Sequence, residues 1–155
     1  MEERVTDARL LWMAGFFDGE GYVGLQILHN RNLSGIPKIA LRLSVSNTDR
    51  RSLTPFADRF GGSIVRSSVA KPRRKQVYRW DQQGKRAHQF MLAVRPFLIT
   101  KTEQVDLAIR FWELPWRGVK GQRAGAPRGE FHVRDSDQIV VEMDMARQLQ
   151  GMKRA

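Results

Sequence analysis

The chain has 155 residues, 28% of them charged and 41% apolar, with a net charge of +11, an isoelectric point near 11 and no cysteine. That length suits one domain with a full core and leaves little room for two. The composition excludes disulfides and thiolate metal sites, and no apolar run reaches the roughly 18–20 residues of a membrane span.

The charge is unevenly placed. Tyr22 to Thr48 contains Arg31, Lys38 and Arg42 but no acid, and Arg59 to Trp80 contains seven Lys or Arg and again no acid. Those two windows hold ten of the eleven net positive charges, and the rest of the chain is close to neutral. A solubilising surface mixes signs, so segregated positive charge points to a polyanion, above all nucleic acid. The opening MEERVTDAR lacks a signal-peptide layout. The expected location is intracellular, with bacterial or archaeal cytoplasm and an organelle all open.

In chain order, Thr6 or Asp7 caps a first helix running to about Gly19, and Gly21 ends it in the usual C-terminal role. Tyr22 to Leu28 reads as a strand, and the polar stretch His29 to Pro37 as a hairpin connection. Lys38 to Asn47 alternates, with Ile39, Leu41, Leu43 and Val45 on one face and Lys38, Ala40, Arg42, Ser44 and Ser46 on the other. Such a pattern predicts a half-buried antiparallel strand. A short helix follows from Thr48 or Asp49 to about Phe60 with Pro55 in its middle, broken by Gly61-Gly62. Ser63 to Ala70 and Gln76 to Asp81 form a second strand pair around the tip KPRRK at residues 71 to 75. Helices follow over Lys85 to Val94, stopped by Pro96, and over about Thr100 to Glu113. Residues 115 to 129 are Gly- and Pro-bearing loop. A last helix spans Asp137 to Leu149, with Ile139, Val140, Met143 and Leu149 apolar.

The most informative stretch is WMAGFFDGEG at residues 12 to 21. Gly15 and Gly19 stand on one helix face at i, i+4 spacing, and each costs roughly 0.8–1 kcal/mol relative to Ala. A bare backbone there admits another backbone very closely. Asp18 and Glu20 lie at the helix C-terminus, where the macrodipole disfavours carboxylates. A cation joining them removes that conflict.

WMAGFFDGEG resembles the signature of the LAGLIDADG homing endonucleases. The helix–hairpin order, Asn47 and Arg51 around the end of the second strand, and PFLITKTEQ at residues 96 to 104 resemble that family as well. The resemblance covers about residues 7 to 113; residues 114 to 155 match nothing in it and read as a loop plus a C-terminal helix. It implies an α+β domain of αββαββα order over residues 1–155, with a four-stranded antiparallel DNA-binding sheet and additional C-terminal helices. It further implies an intron-encoded, site-specific endonuclease that hydrolyses phosphodiesters with Mg²⁺. Mn²⁺ or another divalent cation is expected to substitute, and Ca²⁺ to bind without supporting cleavage.

By that resemblance Glu20 is the metal-binding acid, with the Gly19 carbonyl beside it. Asn47, Arg51 and Lys101 form the catalytic periphery, although the family's usual residue at the first of these is Gln. A single motif copy implies a homodimer through Ala14, Gly15, Asp18 and Gly19, with Asp18 structural rather than ligating. A two-fold dimer implies a roughly palindromic duplex target, on the order of 20 base pairs long.

On the outward strand faces the expected DNA contacts are Gln26, Asn30, Asn32, Lys38, Arg42, Ser44, Arg66, Ser68, Lys75 and Arg79, with Arg73 and Arg74 on phosphates. Tyr78 and Trp80 read as core aromatics, and His29, His88 and His132 lack metal-site spacing. Two other readings stay open. One is a relative without cleavage that acts as an RNA maturase or DNA-binding regulator. The other is a basic structural protein of nucleoid type.

Overall fold

A computed structural model describes residues 7–29, 37–67, 72–117 and 135–154. Helix α1 (Ala8–Glu20) starts at Asp7, whose carboxylate accepts the N–H groups of Arg9 and Leu10. It passes straight into strand β1 (Gly21–Leu28). Gly21 ends the helix but not in the left-handed conformation expected of it, since its φ is −78°. Its glycine has another cause: a Cβ there would lie 2.2 Å from a ring carbon of Phe17 and 2.5 Å from the Phe17 carbonyl oxygen. Only a bare backbone lets the strand leave so close under the helix it follows.

β1 pairs antiparallel with β2 (Lys38–Asn47), from Gly21 opposite Val45 to Leu28 opposite Lys38. The alternation of β2 is realised as read: Ile39, Leu41, Leu43 and Val45 are buried, while Arg42 is exposed. The chain then makes a short 3-10 turn (Arg50–Ser52), capped by the Asp49 carboxylate, before α2 (Thr54–Phe60). The single helix expected here is therefore two pieces. Pro55 lies in the first turn of α2, where its missing N–H breaks no ladder. Gly61 and Gly62 take positive φ of 75° and 88° and end α2.

Strand β3 is only Ile64–Arg66 and pairs with β4 (Tyr78–Gln83), which pairs in turn with β2. The sheet order is β1-β2-β4-β3, antiparallel throughout. Helices α3 (Gly84–Val94), α4 (Thr102–Trp112) and α5 (Ser136–Met152) complete the fold, with a 3-10 turn containing Pro96 after α3. Trp80, Phe17, Phe56, Phe90 and Phe111 are fully buried on the helix side of the sheet. Phe17 meets Phe90 edge-on at 5.1 Å, and Trp80 meets the same ring at 5.4 Å. Such pairs add about 0.5–1.5 kcal/mol beyond the area they bury.

α5 differs from the expected pattern. It buries Glu142, Ala146 and Leu149, whereas Val140 and its neighbour Val141 are exposed. Ala146 and Leu149 join the same buried cluster as α1 and the sheet, so the packed core extends past residue 113. Glu142 is 1% exposed and accepts from Arg117 and from the indole of Trp116. Arg117 also donates to the Ile39 carbonyl and stacks on Phe111, its guanidinium carbon 4.0 Å from the ring centre. This ion pair fastens α5 to α4 and β2.

Candidate metal centre and nucleic-acid interface

The C-terminus of α1 gathers several groups that the sequence scatters. Asp18 turns its carboxylate to the start of α4, accepting the backbone N–H groups of Ile99, Thr100 and Lys101. Partial burial pushes its pKa up, but the N–H groups of Thr100, Lys101 and Ile99 outweigh that and hold it below the usual carboxylate value. The Lys101 ammonium in turn donates to the Asp18 carbonyl at 2.5 Å, with the Gly19 carbonyl at 3.5 Å. These are orphaned carbonyls of a helix end, and a cation occupies them.

Glu20 ends the helix with its carboxylate exposed and without a hydrogen bond or ion pair to the described residues. Asn47 closes β2 two residues beyond Val45, the partner of Gly21, which sets it beside the same helix end. Its side-chain oxygen accepts the Asp49 N–H at 2.8 Å. Arg51 stands apart. Its guanidinium is paired with Asp49 at 2.7 Å and its side chain is 90% exposed. It lines a shallow groove with Ala8, Arg9 and Trp12 at the N-terminal half of α1. The Arg51 side chain, together with its backbone N–H, holds the Asp49 carboxyl down at about 2. The structure thus brings Gly19, Glu20, Asn47 and Lys101 to one helix end and places Arg51 along the helix flank.

Among the described residues no three His, Asp or Glu side chains group as a metal site. At this end Glu20 is the acid that makes no hydrogen bond or ion pair to the described residues. Among the described residues the adjoining face of α1 is uncovered: a Cβ built on Gly15 or Gly19 meets nothing within 4 Å. Leu11 and Trp12 are 40% and 46% exposed beside them. Ala14 corrects the expected interface. It is fully buried in the chain's own core, because it faces away from the Gly15 side of the helix. Asp18 likewise spends its carboxylate inside the chain.

The outer face of the sheet begins directly after Glu20. Cross-strand pairing puts Tyr22, Gly24 and Gln26 of β1, Lys38, Arg42 and Ser44 of β2, and Arg79 and Asp81 of β4 on it. Arg66 does not share that face. It pairs with Tyr78, whose neighbour Arg79 faces outward opposite Val65, so Val65 takes the outward position expected for Arg66. A one-residue shift in register exchanges the faces of a strand. Arg73, Arg74 and Lys75 are exposed in the turn before β4. Asn30, Asn32 and Ser68 lie outside the described residues, as do most of the Gly-rich loop and His132.

The sequence reading missed three features here. Asp81 pairs with Arg79 at 2.7 Å and offsets its charge. Gly24 leaves room for the Tyr22 ring, since a Cβ there would sit 2.3 Å from the Tyr22 hydroxyl. The end of α5 reaches this face as well: Leu149, Gln150 and Lys153 wall a groove of about 480 Å³ floored by Tyr22, Arg42 and Arg79. Nothing local in residues 149 to 153 signals that contact.

Comparison with known proteins places these features in context. No family model matches the chain. The DNA endonuclease I-CreI of Chlamydomonas reinhardtii is 29% identical over 117 residues, which is 73% of this chain and 68% of that protein. The fold is similar to the homing endonuclease I-CvuI, solved with its target in 2 mM Ca and with the I-CreI target, uncleaved, in 2 mM Mg. The TM-scores are 0.70 and 0.68 at 17% identity, over 93% of this chain and 81% of that one. It is similar also to the archaeal intron-encoded homing endonuclease I-Vdi141I in complex with DNA, with a TM-score of 0.69 at 15% identity over 93% and 83% of the two chains.

Proposed function

We propose that this chain, a member of the LAGLIDADG homing endonucleases, cuts double-stranded DNA at a specific site as a homodimer, with Glu20 of each chain as the metal-binding acid. The observation that carries this reading is Glu20 itself. Among the described residues its exposed carboxylate has no hydrogen bond or ion pair, and the glycine face beside it meets nothing within 4 Å. A second copy laid on that face supplies the second acid.

The donors suit Mg²⁺, a hard cation held by one or two carboxylates together with waters and phosphates. Glu20 and the Gly19 carbonyl are such oxygens. When bound, the metal activates water and neutralises charge at the leaving oxygen; Mn²⁺ is expected to replace it, and Ca²⁺ to occupy the site without supporting cutting. Lys101 keeps a positive charge at the same helix end, where it stabilises charge building up on a phosphate. Asn47, its oxygen engaged by Asp49, has its amide N–H groups to orient water. Arg51, on the flank, steers and neutralises phosphate. Gln26, Lys38, Arg42, Ser44 and Arg79 read the major groove, with Arg42 suited to a bidentate contact with guanine.

The test is a cleavage selection on a randomised duplex library with Mg²⁺, followed by Glu20→Gln on the selected target. Glu20→Gln keeps DNA binding and loses cutting. Unchanged cutting by Glu20→Gln refutes the metal assignment. A wild-type chain that footprints one site and never cuts it, with Mg²⁺ or Mn²⁺, establishes the binding-only relative instead. Binding without any site preference refutes the endonuclease reading.

A further inference from the structure

Helix α5 lies in the segment to which the sequence assigns no part in DNA recognition, yet its last turn stands on the outer face of the sheet. Lys153 lies with its ammonium nitrogen 3.7 Å from the centre of the Tyr22 ring. That ring rests along β1 because Gly24 has no side chain to lift it. Tyr22 is two residues beyond Glu20, so Lys153 sits at the end of the groove nearest the metal-binding acid.

The placement is built, since Leu149 is fully buried and the Glu142–Arg117 pair pins the helix four residues earlier than Ala146 and seven earlier than Leu149. Among the described residues that line the groove, positive charge is in excess. Arg42, Arg79 and Lys153 line the groove against the single carboxylate of Asp81, which is taken by Arg79. Among the described residues no acid pairs with Lys153, and burial pushes its pKa below the usual lysine value. A cation seated on an aromatic face keeps its remaining N–H groups free to donate to an anion.

We propose that the last turn of α5 is part of the DNA-binding surface, and that Lys153, seated on Tyr22, contacts a backbone phosphate close to the scissile bond. The inference rests on the DNA-binding reading above and adds a residue to it. Such a contact gives affinity without sequence preference, because phosphates carry no sequence.

The experiment measures binding of the full chain to a duplex of roughly 30 base pairs across a salt series, for wild type, Lys153→Gln and Lys153→Arg. Each phosphate contact contributes about 0.9 to the slope of log K against log salt, which amounts to about fivefold in affinity near 0.15 M. Lys153→Gln is expected to bind about fivefold more weakly per chain engaged, with the shallower slope, equally on specific and random duplexes. Lys153→Arg stays near wild type. If Lys153→Gln melts early, Gln150→Glu serves in its place: a carboxylate at the wall of the groove is expected to weaken binding while leaving the packing intact. An unchanged slope overturns the proposal, and so does tighter binding by Lys153→Gln, which makes the turn a cover over the sheet. Wild-type chain that binds no duplex at all refutes this inference together with the function; wild type that binds and a Lys153→Gln that matches it refute this inference alone.

Discussion

The carboxylate of Asp18 accepts three successive backbone N–H groups, ending at Lys101, while the Lys101 ammonium donates back to the Asp18 carbonyl. The exchange ties the end of α1 to the start of α4 across more than eighty residues. It gives the two acids of the motif separate roles. Asp18 holds the turn that leads into α4, and among the described residues Glu20 has no hydrogen bond or ion pair.

Asp18→Ala is expected to destabilise the fold by about 1.5–3 kcal/mol, the range for hydrogen bonds made to a charged group. The stability Asp18 provides is present above the unfolded carboxyl pKa and fades as pH falls through its lower folded value. Urea midpoints at pH 7 and at low pH check this. The deficit of the variant should shrink in acid, and a variant as stable as wild type at pH 7 would sink the role of Asp18 in tying α1 to the turn before α4.

Gly15→Leu separates assembly from folding. Among the described residues nothing lies within 4 Å of the added Cβ, and leaving glycine favours the helix by about 0.8–1 kcal/mol for Ala and slightly less for Leu. The single chain is therefore expected to fold at least as well as before. Sedimentation should show it as a monomer where wild type is a dimer, and a persisting dimer would place the interface elsewhere.

Lys101→Met removes the ammonium from the α1 carbonyls and leaves the backbone N–H that Asp18 accepts. Single-turnover cleavage with Mg²⁺ is expected to slow by about 10²–10³-fold, the range for losing one charge-stabilising donor. Affinity for the uncut target should change far less. Equal losses in binding and cutting would make Lys101 an ordinary phosphate contact.

Glu142→Ala leaves the Arg117 guanidinium buried against Phe111 without its carboxylate. Breaking one half of such a buried pair costs about 3–5 kcal/mol. The expected result is a large fall in the thermal midpoint. Arg117→Met combined with Glu142→Leu should recover much of it, and a near-neutral single variant would show that α5 does not depend on the pair.

Local pattern carried much of the architecture. The alternation of β2 fixes its faces, because side chains point alternately across a strand. The first helix and its bare glycine face follow from spacing alone, whereas the choice of Asp7 over Thr6 as its cap came from the structure. Arg66 shows where that reasoning fails. Its strand is three residues long, too short for alternation to settle a register, and pairing with β4 turned it to the other face. Val140 shows the same in α5, where the buried stripe centres on Glu142, Ala146 and Leu149 and includes an acid held by Trp116 and Arg117, neither of them on its helix.

By itself the sequence determined the helix that ends in Glu20, the exposed glycines beside it, the basic strand face that follows, and hence a likeness to a family of DNA-cutting proteins. Tertiary structure alone decided that Asp18 and Lys101 clasp each other, that Ala14 belongs to the core, that Arg51 lies along the flank of α1, and that Lys153 rests on Tyr22. The reason is physical. Periodicity records which way a residue points within its own element, whereas contacts between elements depend on how the whole core packs, and no short stretch of chain contains that information.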